Sequence, residues 1–526
     1  MRRLIGVVFC FLIPFAFAAT TGNTNDSAGE KAFENAERLS DPAARLDAIR
    51  HFTAQYPKSR IVGYANRAIL KILVKNFPNL TDEIDKQVTV LLKRAKGEDA
   101  WYDYMDVANV LAGGNVLLSR AQTISRKSIT MLKEKKLVAS QRKYHALEHV
   151  SVSDAELHST FLEIHSELIA TLGRIDVKVG QTSDGEVLLK AAYTEDADNS
   201  EASAELGTLA ANAGRDDEAL SYLTRARLTG KLEDSQQKLL EKLYADKHSA
   251  SMTGFEAYLD QSYATLFPNP IQAPKFAIST KPTRTVLAEL FTGSGCPPCA
   301  GADLVMDAEL HRYTRKELAV IAFDQHIPEP DPLANPDSVK RFDFYQAFGT
   351  PTLALDGTTK TIDAKRNHAK TRFEEVDTLV QNDLQSPAEA DIALIASRDG
   401  NRIKVRASTA NIKGQWKDLK LQLVLVEDEL RYSGENGIRF HRYVARSVAT
   451  GGADQMDVTF DITQISSGLK KYLDEYEKSN GDFGPITFIQ EMDAIDPGNL
   501  SVIAFLQDNE TRHILQAAYL RLGSEQ

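Results

Sequence analysis

The chain has 526 residues, of which 43% are hydrophobic, so it can bury the cores of roughly two to four domains. Asp and Glu outnumber Lys and Arg by 73 to 62, which gives a formal net charge of −11. Because such a surface has no overall attraction for phosphate backbones or anionic lipids, we expect no nucleic acid among its partners.

The N-terminus has the pattern of a secretory signal peptide. Arg2 and Arg3 precede an apolar run over 4–17, and the small-x-small pattern of a cleavage site ends at Ala18. About fourteen apolar residues fall short of the roughly 20 that span a bilayer, which disfavours the alternative of a membrane anchor. We therefore expect residues 1–18 to be removed. The mature protein is expected to be exported, periplasmic or extracellular in a bacterium, with no integral membrane segment.

Residues 27–250 show Ala, Leu, Glu and Lys at helical spacing with almost no strand-like alternation, which predicts an all-helical region. Leu189 and Ala192 recur 34 residues later as Leu223 and Ala226, and that period is typical of tetratricopeptide repeats. The region resembles that family. The resemblance predicts stacked antiparallel helices with a concave face that binds a protein or peptide. An irregular helical domain is the alternative.

The helical region also contains the sequence HALEH, in which His145 and His149 lie one helical turn apart and Glu148 precedes the second. This is the H-x-x-E-H spacing of inverted zincins. Three fixed positions are a weak signal and no third ligand is identified, so packed or solvated histidines are the favoured interpretation. We expect no metal ion and no organic cofactor.

A proline-spaced segment, 267–283, has the stiffness of an interdomain linker and predicts a new domain after it. Over 284–385, three apolar β-branched runs are interrupted by a helical stretch, in the order of a βαβ unit; the runs are 284–291, 318–324 and 352–357. An α/β domain is therefore predicted there.

Residues 388–526 contain alternating strands separated by turns, with one helix among them, which predicts a β-sandwich. The expected fold class is therefore multidomain. An all-α helical repeat region is followed by an α/β domain and then by a mostly-β sandwich.

Once Cys10 is removed with the signal peptide, Cys296 and Cys299 are the only cysteines, in a Cys-Pro-Pro-Cys sequence. A structural staple across so short a loop would contribute only about 2 kcal/mol on the chain-entropy model. A zinc site would need four ligands, whereas the two thiolates with a distant His326 could hold copper instead. Thiol–disulfide chemistry is the third interpretation and the one that the surrounding elements favour.

These cysteines lie where a strand ends and a helix begins. Cys296 is predicted at the helix N-terminus, where free backbone amides and the helix dipole stabilise a thiolate. Cys299, one turn inside the helix, is predicted on the same face, from which it can attack a sulfur bonded to Cys296. We therefore expect Cys296 to be the nucleophile, with a thiol pKa below the free value of about 8.5.

With the sequence FGTPTLALDG downstream of the cysteine pair, residues 284–385 resemble the thioredoxin superfamily. The resemblance implies an α/β thioredoxin fold, a cis Pro351 opposite the disulfide, and a Thr350 backbone that pairs with the substrate chain. It also implies a buried acid beneath the second cysteine, for which Glu289 is the candidate. Gly295 stands where the family commonly has tryptophan, so part of the usual apolar docking surface is expected to be missing.

The family's chemistry implies an exported thiol–disulfide oxidoreductase whose partners are proteins or peptides with thiols or disulfides. A proline-rich insertion over 326–348 is expected beside the active site. Two alternatives stay open: a non-catalytic protein-binding scaffold built on the helical repeats, and a copper-handling protein that uses the same cysteines. The residues between the cysteines do not decide whether the protein oxidises, reduces or isomerises disulfides.

Overall fold

The structure is a computed structural model that describes residues 24–147, 151–230, 232–276, 283–362, 364–478, 486–488 and 490–523. The chain forms two compact units, whose boundary falls between Leu259 and Asp260. The expected signal peptide and residues 277–282 of the expected linker lie outside the described residues. No described helix has both the length and the apolar composition that a membrane crossing requires.

Every described secondary-structure element of the first unit is an α-helix. Its helices are α1 (Thr24–Glu37), α2 (Pro42–Gln55), α3 (Val62–Asn76), α4 (Thr81–Arg94), α5 (Ala100–Gly113), α6 (Leu118–Met131), α7 (Glu134–Leu147), α8 (Asp154–Lys178), α9 (Thr182–Glu195), α10 (Ser200–Asn212), α11 (Asp216–Thr229) and α12 (Asp234–Lys247), and α13 (Phe255–Leu266) runs across the boundary. Capping fixes some of their ends; α8, for example, begins with a capping box made by Ser153 and Glu156. The predicted all-α region is confirmed.

The sequence repeat in the first unit is also a packing repeat. Leu189 on α9 and Leu223 on α11 are fully buried. A Cβ atom added at Gly173 would stand 2.9 Å from Cγ of Leu189, and one added at Gly207 would stand 2.7 Å from Cγ of Leu223. Because Gly173 and Gly207 are also 34 residues apart, the same close contact between a glycine and the leucine of the next helix occurs twice.

The second unit contains all the described strands. Its elements are β1 (Val286–Thr292), α14 (Cys299–Arg312), β2 (Leu318–Asp324), α15 (Pro336–Tyr345), β3 (Thr352–Leu355), β4 (Thr358–Thr361), a 3₁₀ turn (Arg366–His368), α16 (Ala369–Leu384), β5 (Asp391–Asp399), β6 (Arg402–Ala410), β7 (Leu419–Arg431), β8 (Phe440–Gly452), β9 (Gln455–Asp461), α17 (Ile462–Lys478), β10 (Leu500–Asp508) and β11 (Ile514–Arg521). An α/β segment followed by a mostly-β segment is therefore present, as the fold-class prediction requires.

Eight of these strands form one sheet in the order β11-β10-β7-β8-β2-β1-β3-β4. Strands β1 and β2 are parallel, β3 is antiparallel to β1, and β2 meets β8 in parallel at the pair Ala322 and Val444. The remaining strands, β5, β6 and β9, form a second sheet. The ranges 284–385 and 388–526, predicted as separate domains, therefore share a sheet and belong to one compact unit.

Two apolar layers hold this unit together. Val405 and Phe460 of the small sheet share a hydrophobic cluster with Leu423 of the large sheet, so the C-terminal strands form the predicted sandwich. On the other side of the large sheet, Phe323 of β2 and Phe505 of β10 belong to one cluster. That second cluster extends across the α/β and mostly-β segments without a break.

Strand β1 is buried along its whole length, and its alternation decides which helix each side chain meets. Ala288 and Leu290 belong to the cluster that includes residues of α14. Leu287 and Phe291 belong to the cluster that includes residues of α15. We refer to these two sides of the strand as the α14 face and the α15 face.

Candidate active site

Cys296 and Cys299 form a disulfide shortly after β1. Helix α14 begins at Cys299, and the Cys299 N–H donates to the Cys296 carbonyl at 2.9 Å, so Cys296 lies in the turn that precedes the helix. The helix thus starts at Cys299, where the helical stretch was predicted, but Cys299 is its first residue and does not lie one turn inside it, because Cys296 and Pro297 each precede a proline and that position disfavours helical geometry. Both cysteines are buried, with Cys296 only 1% exposed.

The loop before β3 lies against this disulfide. The Thr350–Pro351 peptide bond is cis, which confirms that prediction. The Thr350 hydroxyl lies 3.4 Å from Sγ of Cys296, and the Thr350 carbonyl oxygen lies 3.8 Å from the same sulfur. Four of the five predicted site residues are thus brought together.

Glu289, the fifth predicted site residue, lies on the α15 face instead. Its carboxylate accepts hydrogen bonds from Arg341 Nε at 2.6 Å and Arg341 Nη2 at 2.9 Å, and the Tyr345 hydroxyl donates to it at 2.5 Å. The prediction that Glu289 is the acid beneath Cys299 is wrong, because strand alternation places its side chain on the side of β1 opposite α14. It forms a fully buried ion pair with α15.

Asp303 is an acidic residue on the cysteine side that the sequence analysis missed. It lies four residues after Cys299 on α14, a spacing that sets two side chains on the same helix face. The Thr292 hydroxyl donates to its two carboxylate oxygens, each at 3.1 Å. Desolvation raises the pKa of Asp303 to about 8, although the side chain keeps some contact with solvent. The available signal was an acidic residue one turn after the second cysteine of the motif.

Asp303 interacts electrostatically with two buried aspartates, Asp324 and Asp331. Asp324 ends β2, and within the described part of the chain its carboxylate oxygens have no hydrogen-bond partner. Asp331 accepts from the Ser294 N–H at 2.5 Å and the Leu333 N–H at 2.8 Å. Burial and the neighbouring carboxyl groups raise the pKa of Asp324 well above its usual range, and burial raises that of Asp331 to about 6. With Asp303, these groups therefore carry fewer than three negative charges near neutral pH.

Segments distant in sequence fix the loop that leads to Cys296. Asn436, in the turn between β7 and β8, donates from its backbone to the Ser294 carbonyl at 2.9 Å and from its side chain to the Gly293 carbonyl at 3.1 Å. The inserted segment 326–348 contributes the Ile327 carbonyl, which accepts from the Thr350 hydroxyl at 3.2 Å. The insertion therefore lies beside the disulfide, as predicted, and the mostly-β segment also contributes to the site.

His326, the candidate third copper ligand, has both ring nitrogens engaged. Nδ1 accepts from the Asp331 N–H at 2.9 Å, and Nε2 lies 2.9 Å from the Tyr472 hydroxyl on α17. The ring also stacks on Tyr476, with ring centroids 3.8 Å apart. Desolvation lowers the pKa of His326 to about 3, so the ring is neutral and serves as a structural link between the insertion and α17.

The H-x-x-E-H pattern of the helical region lies only partly within the described residues. His145 is buried on α7, whereas Glu148 and His149 lie outside the described residues. Throughout the part of the chain that the structure describes, no group of three or more His, Cys, Asp or Glu side chains is placed to hold a metal ion.

No family model matches the chain, and no match is found among curated proteins. Among solved structures, the chain is similar to HBP35 of Porphyromonas gingivalis at 14% identity and a TM-score of 0.32, with 47% of this chain and 80% of that chain covered. A likeness at that level assigns neither fold nor function, so the site is interpreted from its own geometry.

Proposed function

We propose that this protein is an exported thiol–disulfide oxidoreductase that acts on protein disulfides. The observation that carries the proposal is the contact between the disulfide and the cis-proline loop, in which the Thr350 hydroxyl lies 3.4 Å from Cys296 Sγ. A substrate chain that pairs with the backbone of Thr350 would bring its own sulfur next to Cys296. The same arrangement supports the resemblance of residues 284–385 to the thioredoxin superfamily.

In the reducing direction, the Cys296 thiolate attacks a substrate disulfide, forms a mixed disulfide and releases one substrate sulfur as a thiolate. Cys299 then attacks Cys296 Sγ and releases the second substrate sulfur. Two electrons and two protons pass to the substrate, and the Cys296–Cys299 disulfide forms. The oxidising direction is the reverse of these steps.

Asp303 is the group that we assign to proton transfer at Cys299. The Cys299 thiol must lose its proton before it can attack, and Asp303 lies one helical turn away on the same face. A pKa of about 8 lets its carboxyl group both accept and return a proton near neutral pH. Asp303 therefore takes the role that the sequence analysis gave to Glu289.

The test is capture of mixed disulfides by single-cysteine variants under oxidising conditions. Cys299→Ser should accumulate covalent complexes with substrate proteins, because Cys296 still attacks while the residue that releases the complex is missing. Cys296→Ser is the matched control and should capture nothing. The readout is the loss of slower-migrating bands on non-reducing gels after a reductant is added.

The reverse pattern would exchange the roles of Cys296 and Cys299. Capture by neither variant would reject the enzyme and favour a protein-binding scaffold built on the helical repeats. Export is proposed on the pattern of residues 1–18, and N-terminal sequencing of the mature protein, expected to begin at Ala19, tests it.

A further inference from the structure

Phe348 is a large apolar side chain that lies in solvent beside the disulfide loop. It is 94% exposed, and within the described part of the second unit the other large apolar side chain with high exposure is Ile395, at 62%, on β5. Exposure of a complete phenyl ring forgoes roughly 2 kcal/mol of favourable burial. An apolar group in that position is suited to a contact that forms only when a partner is bound.

The position of Phe348 ties it to the cysteine pair. It lies two residues before Thr350, so the two Cα atoms are at most about 7 Å apart. Thr350 in turn contacts Cys296 Sγ. A Cβ atom added at the intervening Gly349 would have no other atom within 4 Å, so this stretch is open to an approaching chain.

The residue directly before Cys296 offers no apolar side chain. Gly295 directly precedes Cys296, and a Cβ atom added there would stand 3.7 Å from Cβ of Glu329. Glu329 and Glu435, which adjoin the loop before Cys296, are both exposed. Carboxylates at this rim disfavour an anionic lipid surface as the occupant and leave a polypeptide as the chemistry that fits.

We propose that Phe348 selects the substrate: it packs against an apolar side chain that flanks the reacting cysteine of an extended polypeptide. The inference rests on the proposed oxidoreductase function and names its substrate class. A peptide with an apolar neighbour to its cysteine gains the contact with Phe348. A disulfide with no peptide chain gains nothing from it.

The test measures single-turnover reduction by the full-length protein with Cys296 and Cys299 both reduced. The substrates are a small disulfide without a peptide chain, a symmetric peptide disulfide with leucine on both sides of each cysteine, and the same peptide with serine in place of leucine. Each turnover oxidises one pair of protein thiols and yields two substrate thiols, which are separated by chromatography after an acid quench. The variants are Phe348→Ser, Phe348→Leu and, as the exposed apolar control, Ile395→Ser.

We expect the wild-type protein to reduce the leucine peptide about tenfold faster than the serine peptide, and Phe348→Ser to lose that preference. Phe348→Leu should retain most of it, Ile395→Ser should behave as wild type, and the rate with the small disulfide should be the same in all variants. Equal wild-type rates for the two peptides, or an equal loss in Phe348→Ser with all three substrates, would overturn the inference.

Other occupants of this surface give different results. If Phe348→Ser leaves the peptide rates unchanged but abolishes self-association or binding to phosphatidylcholine vesicles, Phe348 serves a second copy of the chain or a membrane, and the inference fails. If the wild-type protein reduces none of the substrates and its disulfide form oxidises none of the corresponding thiols, the proposed function itself fails and the inference falls with it.

Discussion

Each face of β1 has a carboxyl group beside it, and the neighbours of the two groups differ in charge. On the α15 face, the Glu289 carboxylate accepts hydrogen bonds from the Arg341 guanidinium and the Tyr345 hydroxyl. On the α14 face, Asp303 accepts a hydrogen bond from the Thr292 hydroxyl, and the charged group near it is a second carboxyl group, that of Asp331. The difference teaches that burial alone does not mark a candidate proton-transfer group: Glu289 is held in an ion pair by a buried guanidinium, whereas the hydrogen bonds that Asp303 accepts come from a neutral hydroxyl.

The largest expected effect is on the α15 face. Glu289→Ala should lower the free energy of unfolding by about 3–5 kcal/mol, because it leaves the buried Arg341 guanidinium without its counter-charge. Replacing both residues at once, Glu289→Leu with Arg341→Met, should recover most of that loss. Urea unfolding of Glu289→Leu, Arg341→Met and the double variant that combines them gives the coupling energy.

A structural role for Glu289 also implies that its loss does not change the chemistry. With both cysteines present, Glu289→Ala should resolve mixed disulfides at the wild-type rate at temperatures where it remains folded. If Glu289→Ala instead keeps full stability but loses resolution of mixed disulfides, the distinction between the two faces is wrong.

The second effect is a change of pH dependence on the α14 face. With a pKa raised from 3.8 to about 8, Asp303 keeps in the folded state a proton that the unfolded chain loses near pH 4. The folded state therefore binds more protons, and its stability falls as the pH rises from about 4 to 8, by at most about 1.4 kcal/mol per pH unit. Asp303→Asn should lose this slope in urea unfolding measured across that range.

The same substitution should slow the chemistry. Asp303→Asn is expected to slow release of the mixed disulfide by Cys299 about tenfold at pH 7, because the residue that accepts the thiol proton is missing. Asp307→Asn, on the same helix, is the matched control and should leave the rate unchanged. A normal rate and an unchanged stability slope in Asp303→Asn would remove Asp303 from the mechanism.

The smallest effects come from removing one hydroxyl on each face. Tyr345→Phe should cost about 2 kcal/mol, since its hydroxyl donates to a carboxylate within a buried ion pair, and Thr292→Val about 1 kcal/mol, since a pKa of about 8 leaves the Asp303 carboxyl group largely protonated at pH 6. Urea unfolding at pH 6 measures both. Equal costs would indicate that the ion pair with Arg341 does not strengthen the hydrogen bond from Tyr345.

Local sequence patterns predicted the elements on which the site is built. The Cys-x-x-Cys segment, the Thr350–Pro351 bond and the recurrence of Leu189 at Leu223 each depend on residues close in sequence or on a fixed period. The prediction that Glu289 lies beneath Cys299 was wrong because it depends on long-range packing. Both sides of β1 are buried, so its apolar run gives no sign of which side the cysteine helix covers.

Local sequence patterns also could not predict that the α/β and mostly-β segments share one sheet. Strands β2 and β8 meet at Ala322 and Val444, two residues far apart in sequence, and nothing in either strand marks it as the neighbour of the other. The contribution of Asn436 to the cysteine loop depends on the same long-range pairing. Asp303 could have been found, because it lies one turn after Cys299, but its importance depends on the burial that the sheet creates.

The continuous eight-stranded sheet makes the α/β segment, which carries the cysteine pair, inseparable from the C-terminal strands. A fragment ending near Ser386 would leave β2 as an open sheet edge at Ala322 and would remove Phe505 from the cluster that contains Phe323. Open edges and uncovered aromatic surface favour pairing between chains and aggregation. The α/β segment is therefore not a transferable module: separation of the α/β and mostly-β segments into two chains would yield two pieces that each expose part of a common interior.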